Sequence, residues 1–224
     1  MEKTANSLSS STANRAKKET DIDLGKTALL VIDMQKDLVK TESGYFAPLF
    51  HAVQSSKVIG NIARVIKGAR EARVPIWHIA TVHRKDSADV VPTITDFILQ
   101  GLVPKEMGEI MIEDTPGADF IAELKPAAED YVVVKRRGSA FYNTDLDLLL
   151  RARGIDTLIL TGVVTNGCVE NTARDARQRD YHVLVLSDCC ASIMPEAHDY
   201  AMNRVFPSLG RVRTSDEILA AMKK

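Results

Sequence analysis

LILTGVVTNGC, Leu158–Cys168, decides how this chain is read: an aliphatic run breaks at Gly162 and delivers a thiol, Cys168, to the start of a helical pattern. A buried strand that passes through a short turn into a helix is the unit of a doubly wound sheet, and such folds bind ligands beyond the carboxyl ends of their strands. Backbone N–H groups and the positive end of the following helix favour negative charge at that point. They stabilise a thiolate, and they can hold the oxyanion that develops when sulfur attacks a carbonyl. Cys168 is therefore a candidate nucleophile.

Outward from that stretch the same grammar repeats. Strands are expected over 27–32, 74–80, 131–134, 157–160, 182–186 and 211–213, with helices over 53–72, 145–152, 168–179 and 196–205. Thr214, with Glu217 three positions on, reads as the capping box of a terminal helix. The strand runs are continuously apolar and do not alternate, which implies strands covered on both faces. The expected class is thus α/β, a three-layer doubly wound fold around a mostly parallel sheet. The stretch 90–126 mixes prolines, glycines and polar residues and reads as short helices and long loops that wall a pocket. Residues 1–21 are rich in Ser, Thr, Asn and Lys and read as a flexible N-terminal arm, leaving 22–224 as one domain.

A formal net charge of −1 over 224 residues gives no basic field of the kind that recruits nucleic acid or an anionic membrane. No apolar run approaches the roughly 20 residues that span a bilayer, and the first twenty residues lack the apolar core of a secretory signal. Three cysteines, two of them adjacent at Cys189 and Cys190, suit a reducing compartment better than a disulfide framework. The expectation is a cytoplasmic protein with a small-molecule partner and no cofactor. Cys189 and Cys190 are expected as packing residues.

In a parallel sheet the strand ends meet at one edge. Asp33 follows the first strand, Lys135 follows the third, and Cys168 lies beyond the fourth. A nearby ammonium favours the thiolate. A carboxylate can accept the thiol proton, pass it to a leaving amine and later take one from water. Each residue also has a structural reading: Asp33 as a turn cap, Lys135 as a solvated strand end, Cys168 as a small buried hydrophobe. Three matching types on three strand ends favour the chemical one.

Three stretches carry a family resemblance: ALLVIDMQKDLV at 28–39, VKRRGSAF at 134–141 and LTGVVTNGCVE at 160–170. In these the chain resembles the isochorismatase-like cysteine hydrolases, a superfamily that includes nicotinamidases, N-carbamoylsarcosine amidases and the ureidoacrylate and biuret hydrolases. The resemblance implies a triad of Asp33, Lys135 and Cys168, a six-stranded parallel sheet, and a cis peptide between Val163 and Val164. It also implies an oxyanion hole from the N–H groups of Val164 and Cys168, and a homodimer or homotetramer. The activity it implies is an amidohydrolase that cleaves a C–N bond of a small amide or ureide through a thioester.

Nicotinamidases of that superfamily carry an aspartate and histidine metal cluster after the second strand. The run TVHRKD at 81–86 does not match its spacing, so no metal is expected here. Two alternatives stay open: a vinyl-ether hydrolase of the isochorismatase type, with Asp33 as acid and the thiol idle, and a catalytically silent binding subunit of the same fold. Tyr45 and Phe46 after the Gly44 turn, His83 after the second strand, and Phe141 and Tyr142 after the third could line a substrate pocket or serve packing and surface. Arg84, Arg136 and Arg137 could grip a substrate carboxylate or be structural.

Overall fold

β1 (Thr27–Ile32) and β4 (Thr157–Val163) are buried along their whole length, and they pair in parallel at the middle of a six-stranded sheet. The computed structural model describes residues 20–86, 88–89 and 110–223. Its other strands are β2 (Ile76–Thr81), β3 (Tyr131–Lys135), β5 (His182–Ala191) and β6 (Arg211–Arg213). The spatial order is β3-β2-β1-β4-β5-β6, every pairing parallel. Winding reverses between β1 and β4, so the crevice beyond those two strands is the switch point where such sheets bind ligands.

Parallel strands need crossovers, and these supply helices to both faces. The helices are α1 (Lys36–Val39), α2 (Ala47–Ser55), α3 (Val58–Glu71), α4 (Leu146–Ala152), α5 (Glu170–Gln178), α6 (Pro195–Tyr200), α7 (Phe206–Leu209) and α8 (Ser215–Met222). Leu29 and Val31 of β1 pack with Val58, Ile62 and Val65 of α3 and Ile218 of α8. Ala28, Leu30 and Ile32 face the opposite layer, with Leu146 and Leu150 of α4 and Ala173 and Ala176 of α5. Serving two cores is why β1 reads as an unbroken apolar run.

Several boundaries differ from expectation. The single helix expected over 53–72 is two, because Lys57 takes a left-handed φ of +56° between α2 and α3. The helix expected from Cys168 begins instead with a wide π turn (Thr165–Val169) that carries the thiol, and α5 follows it. α6 starts at Pro195 and continues through a second π turn (Ala201–Val205) into α7. β5 runs past a register irregularity to set Cys190 and Ala191 opposite Gly162 and Val163. The capping box of α8 is present, with the Thr214 N–H donating to Glu217 Oε2 at 2.7 Å and the Glu217 N–H donating to Thr214 Oγ1 at 3.3 Å.

Residues 1–19 of the expected arm and 90–109 of the expected pocket wall lie outside the described residues. Over 110–126 the chain makes two short 3-10 turns, Pro116–Ala118 and Ala122–Leu124. Among the described residues no helix is long and apolar enough to cross a membrane.

Gly162 sets the spacing of the two central strands. It has a φ of +111°, and a Cβ there would stand 2.0 Å from the Ile32 carbonyl oxygen and 2.7 Å from the Ile32 nitrogen. Gly162→Ala is expected to cost about 3 kcal/mol, at the upper end of overpacking, and so to lower Tm by roughly 6–12 °C for a chain of this size. Thermal unfolding followed by circular dichroism measures it; an unchanged Tm would mean that the end of β1 yields freely.

Candidate active site

β3 is an edge strand whose Val132 and Val134 are exposed while Val133 and Lys135 point inward. Register sets Lys135 opposite Thr81, so by the period of two these side chains share a face with Val133 and Ile79. On β1 the same face belongs to Ile32, and strict alternation would send Asp33 to the other layer. Asp33 instead takes a φ of +55°, a left-handed conformation that aspartate adopts more readily than most residues. The backbone twists the carboxylate toward Thr81 and Lys135, and the Asp33 N–H still donates to the Ile79 carbonyl at 2.9 Å.

The resulting cluster is tight. Lys135 Nζ lies 2.9 Å from Asp33 Oδ2 and 3.2 Å from Cys168 Sγ, and it donates to Thr81 Oγ1 at 2.5 Å. Thr81 Oγ1 donates in turn to Asp33 Oδ1 at 3.1 Å. Asp33 and Lys135 are each 1% exposed, whereas Cys168 is half-buried. Buried Gln35 braces Thr81: its Oε1 accepts the Thr81 N–H at 2.9 Å, and its Nε2 donates to the carbonyls of Thr81 and Ala118, both at 2.8 Å. A side-chain amide thus continues the β1–β2 ladder past the end of β1.

Burial opposes the charge on Lys135, but the Asp33 carboxylate and the Cys168 sulfur outweigh it and hold the ammonium above its ordinary range. Burial, together with the Asp33 charge, pushes the Cys168 thiol up to about 12 against the pull of Lys135. Burial and the Asp33 charge thus favour the protonated sulfur, and the side-chain contact of Cys168 within the cluster is with the Lys135 ammonium at 3.2 Å.

The Val163–Val164 peptide is cis, and the π turn begins directly after it. Within the turn Asn166 and Gly167 are not helical. The N–H groups of Gly167 and Val169 both donate to the Val164 carbonyl, at 2.9 and 3.3 Å. Val164 and Cys168, the two residues expected to supply oxyanion N–H groups, flank this bend.

The softer sequence candidates scatter. Phe46 is buried in the core beside the edge of Tyr45 at 5.1 Å, and both line a small cavity of about 150 Å³ with Asp37, Thr41 and Ile110. His83 Nδ1 is 2.8 Å from Asp89 Oδ2. Burial works against the Asp89 carboxylate, yet the Arg84 N–H and the His83 ring hold it below its ordinary range. Phe141 packs in the core, 5.7 Å from Tyr181 and beneath the Arg179 guanidinium, so its ring serves packing. Tyr142 is exposed on an open groove along α5.

The arginines are engaged by the protein itself. Arg84 pairs with Asp86, Arg136 donates to the Val82 carbonyl, and Arg137 donates to the Arg136 carbonyl. Cys189 and Cys190 are free thiols packed into opposite layers of the core. Among the described residues no three His, Cys, Asp or Glu side chains gather as a metal ion would need. Sequence reasoning missed Thr81 and Gln35. A hydroxyl closing a mostly apolar strand was the one signal for Thr81, and only strand register gives it meaning.

Residues 27–217 match the family model of the isochorismatase domain. The chain is 36% identical over 203 residues to the uncharacterized isochorismatase family protein YwoC of Bacillus subtilis, covering 91% of this chain and 97% of that one. It is 31% identical over 179 residues to the ureidoacrylate amidohydrolase RutB of Rhizobium rhizogenes, covering 76% of this chain and 72% of that one. The N-carbamoylsarcosine amidase of Thermoplasma acidophilum superposes with a TM-score of 0.65 at 31% identity, over 85% of this chain and 97% of that one.

The raised thiol pKa has a direct readout. Alkylation of Cys168 by iodoacetamide, followed by intact-protein mass, is expected to rise about tenfold per pH unit from about pH 7 to about pH 10 without levelling, because thiolate is the reacting form. A plateau reached below about pH 9 would show an unperturbed or activated thiol.

Proposed function

The chain belongs to the isochorismatase family, and from that premise we propose that it is a cysteine-dependent amidohydrolase that cleaves a C–N bond of a small amide or ureide through a thioester on Cys168. The observation that supports this reading is the contact of one buried ammonium with both a carboxylate and a thiol, Lys135 lying 2.9 Å from Asp33 and 3.2 Å from Cys168. Relatives that hydrolyse ureidoacrylate and N-carbamoylsarcosine point to the same bond class.

In this mechanism Cys168 Sγ attacks the substrate carbonyl carbon while its proton passes to Asp33. The Val164 and Cys168 N–H groups hold the tetrahedral oxyanion. Asp33 then protonates the leaving nitrogen, the C–N bond breaks, and ammonia or an amine departs from the thioester. Water attacks that thioester as Asp33 takes its proton, the acid is released, and the sulfur recovers a proton. Lys135 keeps its charge throughout, orienting Asp33 and offsetting negative charge on sulfur as it forms.

Ammonia release across ureidoacrylate, biuret, N-carbamoyl amino acids, maleamate and primary amides identifies a substrate. On it, Cys168→Ala and Asp33→Asn are each expected to lose roughly 10⁴-fold in kcat, the scale seen when one member of a catalytic unit is removed. Rapid quenching of the parent should yield an acyl adduct on Cys168 by mass spectrometry. A Cys168→Ala variant within tenfold of the parent would exclude covalent catalysis by this sulfur.

A further inference from the structure

His198 stands apart from the Asp33, Lys135 and Cys168 cluster, on α6, yet it reaches a side chain of the turn that carries Cys168. Its Nδ1 is 2.8 Å from Thr165 Oγ1. Thr165 is fully buried and is the first residue of the π turn that carries Cys168. Because Asn166 and Gly167 leave helical geometry, no regular ladder fixes this turn. Two side-chain ties run from it to the segment after β5: Thr165 to His198, and Asn166 Oδ1 accepting from Ser192 Oγ at 2.6 Å. Burial holds the His198 imidazole below its ordinary range, against the nearby Asp199 charge. A neutral ring has one nitrogen that donates and one that accepts, and the Thr165 hydroxyl can answer either at Nδ1.

We infer that His198 is a positioning residue: through Thr165 it fixes the π turn, so that Cys168 Sγ and the N–H groups of Val164 and Cys168 keep one geometry toward the reacting carbonyl. The inference rests on the reading of Cys168 as nucleophile. His198 does not touch the reacting atoms. Its loss acts on the chemical step and not on substrate affinity, since a shift of about 1 Å in a nucleophile can cost roughly 10²-fold in rate.

The test compares the full-length parent with H198L, H198N, T165V, T165S and the double variant T165V/H198L, on the substrate identified by ammonia release. H198L and T165V are each expected to lower kcat by roughly 10- to 100-fold with KM changed less than about twofold, and the double variant to be no worse than either single. H198N sets an amide where Nδ1 stood, and T165S keeps the hydroxyl; both should recover to within about threefold of the parent. Iodoacetamide alkylation of Cys168 should follow the same order.

Parental kcat in H198L, losses that multiply in the double variant, or an H198N as impaired as H198L would each overturn the inference. Should H198L fail to fold, the T165V and T165S pair puts the same question from the other side of the bond. A Cys168→Ala control separates the two failures. Activity surviving in that control defeats the nucleophile reading, whereas an inactive control beside a fully active H198L defeats the role of His198 alone.

Discussion

A lysine ammonium with almost no access to water is paired to one aspartate at the carboxyl edge of the sheet, and the rest of the centre is arranged around that pairing. Desolvating two charges costs several kcal/mol for each ion, and the attraction repays this only where geometry is close and the remaining donors and acceptors are met. Lys135 meets the first part of the condition, with Asp33 at 2.9 Å and Thr81 as a shared partner, while Asp33 Oδ2 has the ion pair and no hydrogen bond. The left-handed bend at Asp33, the bracing of Thr81 by Gln35 and the side-chain-free Gly162 against Ile32 all serve to keep one carboxylate within reach of one amine.

Two structural units meet at the sulfur. The ends of β1, β2 and β3 hold Asp33, Thr81 and Lys135, while the bend after β4 holds the sulfur and the N–H groups at its flanks.

The three strand-end residues were legible because parallel sheets collect their carboxyl ends whatever the detailed geometry; Asp33, Lys135 and Cys168 needed only strand order to converge. Thr81 and Gln35 were not legible. Their parts arise from cross-strand register and from a side chain imitating backbone, neither of which leaves a periodic trace. His198 lies thirty positions beyond the cysteine, on a helix whose pairing with the turn depends on how β5 passes its irregularity. Helix limits were blurred for local reasons: a left-handed Lys57 splits one amphipathic pattern, and π turns at Thr165 and Ala201 extend others without a change in composition. Phe141, left open between pocket and packing, has its ring in the core, a choice that depends on contacts with Tyr181 and Arg179 from other elements.

The ammonium sits on the outermost strand. β3 is joined to the sheet through β2 alone, and two of its five side chains already face water. Edge strands open locally at less cost than the global unfolding free energy. Fraying of this one margin would withdraw Lys135 while the β1–β4 centre stayed intact, so under the proposed mechanism catalysis has a lower melting threshold than the fold that houses it. On that reading the margin behaves as a fuse, and exposed Val132 and Val134 have a share in keeping the proposed chemistry switched on.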